Sequence, residues 1–337
     1  MQSEGNQIMQ SSAVKPIKLS DHLYQLGTKR FPVYLSLGER GMIIEGGTCG
    51  TADLIAKQIA ELGVDPARID YLALTHTHAD HIGAVPRLRE LWPHLRILAG
   101  PIAAATLAAE NHLKQFRPAD RMIGKILLHD GLIKDLPPEA REDGLRVDAI
   151  LEEGARIDLG QGVVWHVMLT PGHSDCHVSY FEQKEGVLAM GDMAGYLDPD
   201  LDVIWPNYFH SLEDYCLSIQ KAAILPARTA ILSHNGAVNL KERPFLQQAL
   251  NAAMEYHFRL LERMAGGESR EEICREQAQW VYSFAPIASP KAIEFLCGLL
   301  CRSSRKAALQ LPGDSLGWTH QYAEGQTSQA RAMAQGA

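Results

Sequence analysis

The sequence lacks the features of membrane, secreted and nucleic-acid-binding proteins. No run approaches the ~20 apolar residues that span a bilayer, and the N-terminus MQSEGNQIMQSSAVKP has no apolar core of a secretory signal. Asp and Glu (40) outnumber Lys and Arg (32), so the net charge is -8, whereas nucleic-acid binding favours a basic surface. We therefore expect a soluble, cytoplasmic protein with a small-molecule substrate and with neither a membrane nor a nucleic-acid partner.

Cysteine is also sparse, and its spacing excludes the usual cysteine-based sites. The six cysteines are scattered, and no CxxC pair occurs among them. Zinc-ribbon and disulfide-scaffold proteins need closely spaced pairs. The pattern predicts buried free thiols in a reducing compartment.

The order of apolar segments predicts an α/β fold with helices added at two places. Short apolar runs that end at turn residues alternate with segments of helical spacing between residues 19 and 240, which we take as the catalytic domain. Residues 101–151 read as a helical insertion, and residues 241–310 as a C-terminal helical cap. Residues 1–18 and 311–337 read as flexible tails.

A dense group of metal-ligating residues follows one of the predicted strands. The run THTHADH at residues 75–81 comes directly after an apolar strand, and its side chains at His76 and His78 point the same way. Asp80 and His81 fall where a helix, expected over 81–91, begins. One short segment can therefore offer ligands to two neighbouring ions.

Three later residues complete a candidate metal site. His173, Asp192 and His234 each follow a predicted strand directly, so all three can lie along one edge of the sheets. Imidazole and carboxylate ligands suit zinc, iron and manganese alike. The sequence thus predicts a divalent-metal site without identifying the metal.

These residues give the chain a resemblance to the metallo-β-lactamase-fold hydrolase superfamily, over roughly residues 20–240. The resemblance implies an αββα sandwich with two divalent ions at one edge, zinc favoured and iron or manganese as alternatives. It implies that His76, His78 and His173 hold the first ion and that Asp80, His81 and His234 hold the second, with Asp192 bridging them.

Within the superfamily, the chain is similar to the glyoxalase-II-like and quinolone-signal-response thioesterase-like branch. The shared features are Pro32-Val33-Tyr34-Leu35 before Ile44-Glu45-Gly46-Gly47, the segment Gly172-His173-Ser174-Asp175-Cys176-His177, and the helices after His234. The resemblance implies a metal-dependent hydrolase whose metal-bound hydroxide attacks an ester-like bond, with a thioester favoured. Asp80 is the candidate to orient that hydroxide or to pass on its proton.

Other functions remain open at this point. The same metal core can serve a phosphodiesterase or a lactonase, and a regulatory binding protein could retain the fold. A phosphorylated or nucleotide-bearing substrate would require basic residues near the pocket. Four basic residues of the insertion are the candidates: Lys114, Arg117, Arg121 and Lys125.

The remaining predictions concern residues around the metal site. His177 is a candidate to steady a ligand by a hydrogen bond. The aromatic and histidine residues of a long loop after Asp192, and two residues of the C-terminal helices, are candidates to line the substrate pocket. These pocket candidates are Tyr196, Trp205, Tyr208, His210, Tyr256 and His257. The apolar C-terminal helices also suggest a homodimer.

Overall fold

The structure is a computed structural model that describes residues 14–138 and 142–310. The strands are β1 (Ile17–Lys18), β2 (Leu23–Gly27), β3 (Pro32–Leu37), β4 (Gly41–Ile44), β5 (Ile69–Ala73), β6 (Arg96–Ala99), β7 (Ala149–Ile150), β8 (Arg156–Asp158), β9 (Val164–Leu169), β10 (Val178–Glu182), β11 (Val187–Gly191), β12 (Tyr196–Asp198), β13 (Val203–Trp205), β14 (Thr229–Leu232) and β15 (Ala237–Asn239). The α-helices are α1 (Ala52–Glu61), α2 (Ala79–Ile82), α3 (Val85–Leu91), α4 (Pro101–Ala108), α5 (Glu110–His129), α6 (Leu212–Ala223), α7 (Phe245–Ala265), α8 (Arg270–Tyr282) and α9 (Pro290–Gln310).

The strands form two larger sheets and one short hairpin. The first sheet runs β1 to β7 in chain order, antiparallel as far as β4 and parallel from there on. The second has the order β15-β14-β11-β10-β9-β8, and its parallel pair is β11 with β14. The hairpin joins β12 and β13.

Side chains that alternate along the strands separate the inner face of each sheet from its outer face. In β3, Tyr34 packs into the core between the sheets, whereas Val33 and Leu35 pack into the core under the first helical layer. In β11, Ala189 joins the inter-sheet core and Leu188 joins the core under the second layer. Each sheet is therefore buried on both faces, which requires a layer of helices on each side.

The helices supply these two outer layers. Ile55 of α1 and Leu88 of α3 pack on the first sheet. Ile219 of α6, Phe245 of α7 and Leu300 of α9 belong to the core on the second. The layers give the αββα sandwich with added helices that the sequence predicts. Among the described residues, no helix is both long and apolar enough to cross a bilayer.

The helix expected over residues 81–91 is two helices, α2 and α3, separated at Gly83. The N–H of Gly83 bonds the carbonyl of Gly47 at 2.8 Å instead of continuing the helical pattern. A Cβ at Gly83 would lie 2.2 Å from Oδ1 of Asp120, so the chain passes close to α5 here. Tertiary contacts interrupt a segment whose local pattern is helical throughout.

The expected boundaries of the insertion and the tails also need adjustment. The insertion contains α4 and α5, but its end forms β7, which pairs with β6 and belongs to the first sheet. Residues 17–18 of the expected N-terminal tail form β1. The rest of that tail before residue 14, and all of residues 311–337, lie outside the described residues. The division into a catalytic domain and a C-terminal cap stays a prediction.

Candidate metal centre

The strand ends bring the predicted ligands to one edge of the sandwich. His76 follows β5, His78 precedes α2, and Asp80 and His81 lie within α2. The second sheet contributes the remaining three ligands from the ends of β9, β11 and β14: His173, Asp192 and His234. The site therefore lies where the carboxyl ends of strands from both sheets meet.

Three imidazoles converge on one point. The Nε2 atom of His76 lies 2.9 Å from Nδ1 of His78 and 3.2 Å from Nε2 of His173. Nδ1 of His78 lies 3.0 Å from Nε2 of His173. All three rings have a nitrogen directed at the same small volume, and these are the residues that the family resemblance implies for a first metal.

A second group lies beside the first. The Oδ2 atom of Asp80 is 3.4 Å from Nε2 of His81 and 3.6 Å from Nε2 of His234. The carboxylate of Asp192 lies between the two groups, with Oδ2 3.5 Å from Nε2 of His173 and Oδ1 3.6 Å from Nε2 of His234. Asp192 is thus placed to contact ions in both positions.

Hydrogen bonds on the far side of the rings hold the histidines in place. His173 donates from Nδ1 to the carbonyl of Asn207 at 2.9 Å, and His234 donates from Nδ1 to the carbonyl of Arg30 at 2.9 Å. A bond of this kind leaves the opposite nitrogen, Nε2, free to bind a metal.

Glu45 is a further supporting residue. It lies in the segment Ile44-Glu45-Gly46-Gly47, from which no role was predicted for it. Its carboxylate is buried, accepts a hydrogen bond from Nδ1 of His81 at 3.0 Å and another from the Thr75 hydroxyl at 2.9 Å, and also contacts the Ser233 hydroxyl. Its place at the end of a strand, just before a Gly-Gly pair, was the available signal.

His177, the candidate to steady a ligand, lies beside the backbone of Asp192. Its Nε2 accepts the backbone N–H of Asp192 at 3.0 Å, so its proton is on Nδ1, which donates to the Thr170 hydroxyl at 2.8 Å. Gly191 makes room for this contact, because a Cβ there would lie 2.4 Å from Nε2 of His177. His177 therefore fixes the backbone that carries Asp192.

The pKa values of the site histidines are shifted in opposite directions. Burial lowers the pKa of His78 to about 3, and burial together with the neighbouring histidines holds the pKa of His76 well below its usual range. In His81, burial alone would lower the pKa, but the carboxylates of Asp80, Glu45 and Asp192 outweigh it and raise the pKa. The pKa of His234 is likewise raised, by Asp192 and Asp80 against the effect of burial.

The residues present fit divalent metal ions. Three groups of His and Asp ligand atoms, each within 4.8 Å of one another, share members: His76 with His78 and His173, His76 with His81 and Asp192, and Asp80 with His81 and His234. The Nε2 atoms of His81 and His234 are buried and form no hydrogen bond within the described residues. Buried nitrogens of this kind are expected to have a partner, and a metal ion provides one for both.

An apolar cavity of about 100 Å³ opens beside the candidate ligands. It contacts His78, Asp80, His173, Asp192 and His234. Its remaining walls come from the hairpin and the segment that follows it, from α5, from α9 and from the loop before α9. These walls are formed by Ile123, Tyr196, Trp205, Asn207, Phe209, Ile287, Ala288 and Leu296.

Of the predicted pocket residues, Tyr196 and Trp205 line this cavity, and the other four do not. Tyr208 is fully buried and bonds the Ser304 hydroxyl at 3.0 Å, and Tyr256 packs against Tyr208 in the core. His257 is buried beside Phe258, and His210 is also absent from the lining. The expected long loop is partly the hairpin β12–β13, whose three-residue strands are too short to give a clear period.

The basic residues of the insertion are not in the lining either. Arg117 and Arg121 border a separate, smaller cavity of about 40 Å³ together with Cys49 and Asp120. Lys125 is exposed, and the side chain of Lys114 lies outside the described part of the structure. The cavity beside the candidate ligands is therefore lined without Lys or Arg, as far as the described residues show.

Comparisons with known proteins agree with this fold. The family model of the metallo-beta-lactamase superfamily matches residues 33–234. A metallo-beta-lactamase fold-containing protein of Sulfurisphaera tokodaii is 26% identical over 227 residues, which cover 65% of this chain and 80% of the relative. A hydroxyacylglutathione hydrolase of Legionella pneumophila is 26% identical over 121 residues, which cover 36% of this chain and only 32% of that protein.

A solved structure shows the same fold. The crystal structure of a metallo-beta-lactamase family protein from Thermus thermophilus superposes with a TM-score of 0.57 at 22% identity, covering 86% of this chain and 96% of that one. The family match extends from β3 to the last candidate ligand, His234, and so includes the whole candidate site. The chain therefore belongs to the metallo-beta-lactamase superfamily, whose members are mostly metal-dependent hydrolases.

Proposed function

We propose that the protein is a hydrolase with two divalent metal ions, zinc favoured, that cleaves an ester-like bond and prefers thioesters. The observation that carries the proposal is the position of Asp192, whose two carboxylate oxygens approach histidines of both ligand groups. A carboxylate placed between two groups of ligands supports a site for two ions.

The candidate ligands would divide as the sequence resemblance implies. His76, His78 and His173 would hold one ion, Asp80, His81 and His234 the other, and Asp192 both. Bound divalent ions supply an activated water at neutral pH and polarise a carbonyl oxygen.

The protein's own residues would position these ions and move a proton. Burial would raise the pKa of Asp80, but the neighbouring His81 and His234 outweigh burial and lower it, so its carboxylate is ionised at neutral pH. Metal-bound imidazoles are neutral, and a divalent cation beside Asp80 would favour the ionised carboxylate in their place. Asp80 would therefore orient the attacking water by accepting its hydrogen bond. The apolar walls would exclude other water from the reaction.

The lining of the cavity favours a neutral carbonyl substrate over a phosphodiester. Phosphate groups are usually bound by Arg, Lys or helix N-termini, and Lys and Arg are absent from the lining as far as it is described. The match to a relative named hydroxyacylglutathione hydrolase supports an acyl group carried on a thiol. The apolar walls would accommodate the acyl side of such a substrate.

A substrate panel and a metal analysis test the proposal together. Protein loaded with zinc, iron or manganese is assayed with an acyl thioester, a lactone and bis-nitrophenyl phosphate, and the bound metal is counted by elemental analysis. We expect two ions per chain and the fastest turnover with the thioester.

Variants of the candidate ligands are compared with a variant away from the site. His78→Ala and Asp192→Asn should reduce turnover by more than about a hundredfold, the upper end of what loss of a mere supporting residue costs. His94→Ala, which changes an exposed histidine away from the site, should leave metal content and turnover unchanged. One ion per chain would contradict the dinuclear site, and lack of turnover in every metal form would favour a regulatory binding protein.

A further inference from the structure

Two buried tyrosines join the sheets close to the candidate metal centre. Tyr34 belongs to β3 of the first sheet and Tyr180 to β10 of the second, and both side chains lie in the core between the sheets. Each hydroxyl donates to a backbone carbonyl of the opposite sheet, where a strand ends and a candidate ligand follows. The two bonds therefore run in opposite directions across the same interface.

Tyr34 holds the turn that carries His234. Its hydroxyl lies 2.6 Å from the carbonyl oxygen of Leu232 and 3.0 Å from that of Gly236, so it can donate its proton to either. Leu232 ends β14, and His234 lies between the two carbonyls in the chain. The other two residues that would hold the second ion follow β5 of the first sheet. Tyr34 thus fastens His234 to the sheet of its partner ligands.

Tyr180 has the corresponding position for the first group of ligands. Its hydroxyl donates to the carbonyl of Leu74, which follows β5 directly and precedes His76 by two residues. His76 and His78 continue from β5, whereas His173 follows β9, the strand that pairs with β10. Tyr180 thus fastens the segment of two histidines to the sheet that supplies the third.

Both hydroxyls act as donors at neutral pH. Burial raises the pKa of Tyr34 and of Tyr180, and the charge of the nearby Glu45 carboxylate adds to the shift in each. Leu74 and Leu232, whose carbonyls they bond, are buried as well. In such surroundings water does not replace a lost donor, so removal of either hydroxyl should displace the segment that it bonds.

Backbone bonds also join the sheets at these points, and they do not depend on the tyrosines. The N–H of Val178 donates to the carbonyl of Thr75 at 2.7 Å, and the N–H of Asn235 donates to the carbonyl of Lys29 at 2.9 Å. These bonds would keep both segments near their places. Loss of one hydroxyl should therefore shift a ligand slightly and not detach it.

We propose that Tyr34 and Tyr180 are positioning residues, each of which controls the affinity for one metal ion: Tyr34 for the second ion and Tyr180 for the first. The inference rests on the two-ion part of the proposed function and adds a separate support for each ion. Distances between metal and ligand vary by only about 0.2 Å, so a small shift of one segment weakens the ion that it helps to hold.

Cadmium NMR on the full-length, cadmium-loaded protein tests this without any need for turnover. Each bound ion gives its own resonance, and nitrogen ligands move the resonance to higher frequency than oxygen ligands do, which identifies the three-histidine group. Titration with a chelator then gives the ratio of the two affinities. We expect Tyr34→Phe to weaken the second ion by about tenfold relative to the first, and Tyr180→Phe to do the reverse.

A third tyrosine provides the control. Tyr208 is fully buried and its hydroxyl bonds Ser304 of α9, which carries no candidate ligand, so Tyr208→Phe should leave the ratio unchanged. A general loss of stability weakens both ions together and does not change their ratio. Opposite shifts in Tyr34→Phe and Tyr180→Phe are therefore specific to positioning.

The possible results are distinct. If the parent shows two resonances, an unchanged ratio in both variants, or a shift in the same direction in both, would overturn the inference and leave the two-ion site standing. A single resonance in the parent would overturn the two-ion site and this division of support with it. Absence of turnover with the substrate panel would contradict the hydrolase proposal alone.

Discussion

Glu45 is the single residue that links the candidate site most directly to its surroundings. Its buried carboxylate contacts Thr75 and Ser233, which follow strands of the two sheets, and His81 of α2. The backbone of Glu45 has a φ of 78°, in the left-handed region that non-glycine residues rarely adopt. Strain of this kind persists only where the surrounding contacts hold it.

Replacement of this carboxylate should weaken metal binding more than it weakens the fold. Glu45→Gln keeps the shape but removes the charge that orients the His81 ring, so we expect metal affinity to fall by about 10–100-fold. Competition with a chromophoric chelator measures this. Glu182→Gln alters another buried carboxylate, at the far end of β10, and should leave the metal affinity unchanged. Equal affinity in both variants would argue against a supporting role for Glu45.

Gly191 gives a second test at the scale of one residue. Its φ is 58° and a Cβ would lie 2.4 Å from the His177 ring, so Gly191→Ala adds both backbone strain and a clash. Gly63→Ala adds the strain alone, since Gly63 has a φ of 69° and open space around its Cβ position. We expect about 1–2 kcal/mol of destabilisation for Gly63→Ala and clearly more for Gly191→Ala, measured by denaturant unfolding. Similar losses would show that the His177 contact is not tightly packed.

The sequence singles out the candidate ligands because ligation favours particular residue types at the ends of strands. His76, His173 and His234 stand out for that reason. Asn207 and Glu45 do not, because their contribution depends on a neighbour that is remote in the chain and on burial that a local pattern does not reveal.

At the scale of elements, α5 is joined to the ligand-bearing segment through Asp120. Oδ1 of Asp120 accepts the backbone N–H of Cys49 at 3.0 Å and lies against Gly83, which follows α2. Burial raises the pKa of Asp120 from 3.8 to about 6, despite the opposing hydrogen bonds from Cys49. The folded protein therefore binds this proton more tightly than the unfolded chain does.

This shift has a definite sign in the pH dependence of stability. Between pH 4 and pH 6 the folded state holds more protons at Asp120 than the unfolded state, so ionisation of Asp120 costs stability as the pH rises through this range. Asp120→Asn keeps the acceptor and removes that cost, so we expect it to be about 1–3 kcal/mol more stable than the parent at pH 7 and nearly equal below pH 4. Urea unfolding at both pH values measures this.

A matched surface variant completes the comparison. Asp53→Asn removes an exposed carboxylate on α1 that pairs with Arg87, and it should change stability little at either pH. If Asp120→Asn is less stable than the parent at pH 7, the carboxylate contributes more through Cys49 than burial takes away.

The elements that the sequence describes poorly are those that shape the cavity. The hairpin β12–β13 has strands of three residues, and the break between α2 and α3 arises from contacts with α5 rather than from a local breaker. Short strands give too few alternations to recognise, and a tertiary contact leaves no local signal. The layers themselves were predictable because their long apolar segments have a clear period.

At the scale of the whole molecule, the candidate site joins the two sheets. His76, His78, Asp80 and His81 follow a strand of the first sheet, whereas the other three ligands follow strands of the second. Bound metal would therefore stabilise the contact between the sheets in addition to any role in chemistry. The homodimer, the cytoplasmic location and the choice of zinc stay predictions.

Removal of the metal should lower the melting temperature of the entire fold. Metal present at about a thousandfold excess over its dissociation constant contributes about 4 kcal/mol, which corresponds to a fall of roughly 10 °C after dialysis against a chelator. Scanning calorimetry measures this, and re-addition of zinc should restore the original value. An unchanged melting temperature after proven loss of metal would show that the sheets are held together without it.

The distance in sequence between the first and the last candidate ligand also determines how late in synthesis the complete site can form. His76 is made long before His234, and at about 5–20 residues per second the ribosome takes roughly 10–30 s to pass from one to the other. During that interval the nascent chain displays His76, His78, Asp80 and His81 without their partners from the second sheet. Metal capture with full affinity is therefore a late event of biogenesis, and it follows docking of the two sheets.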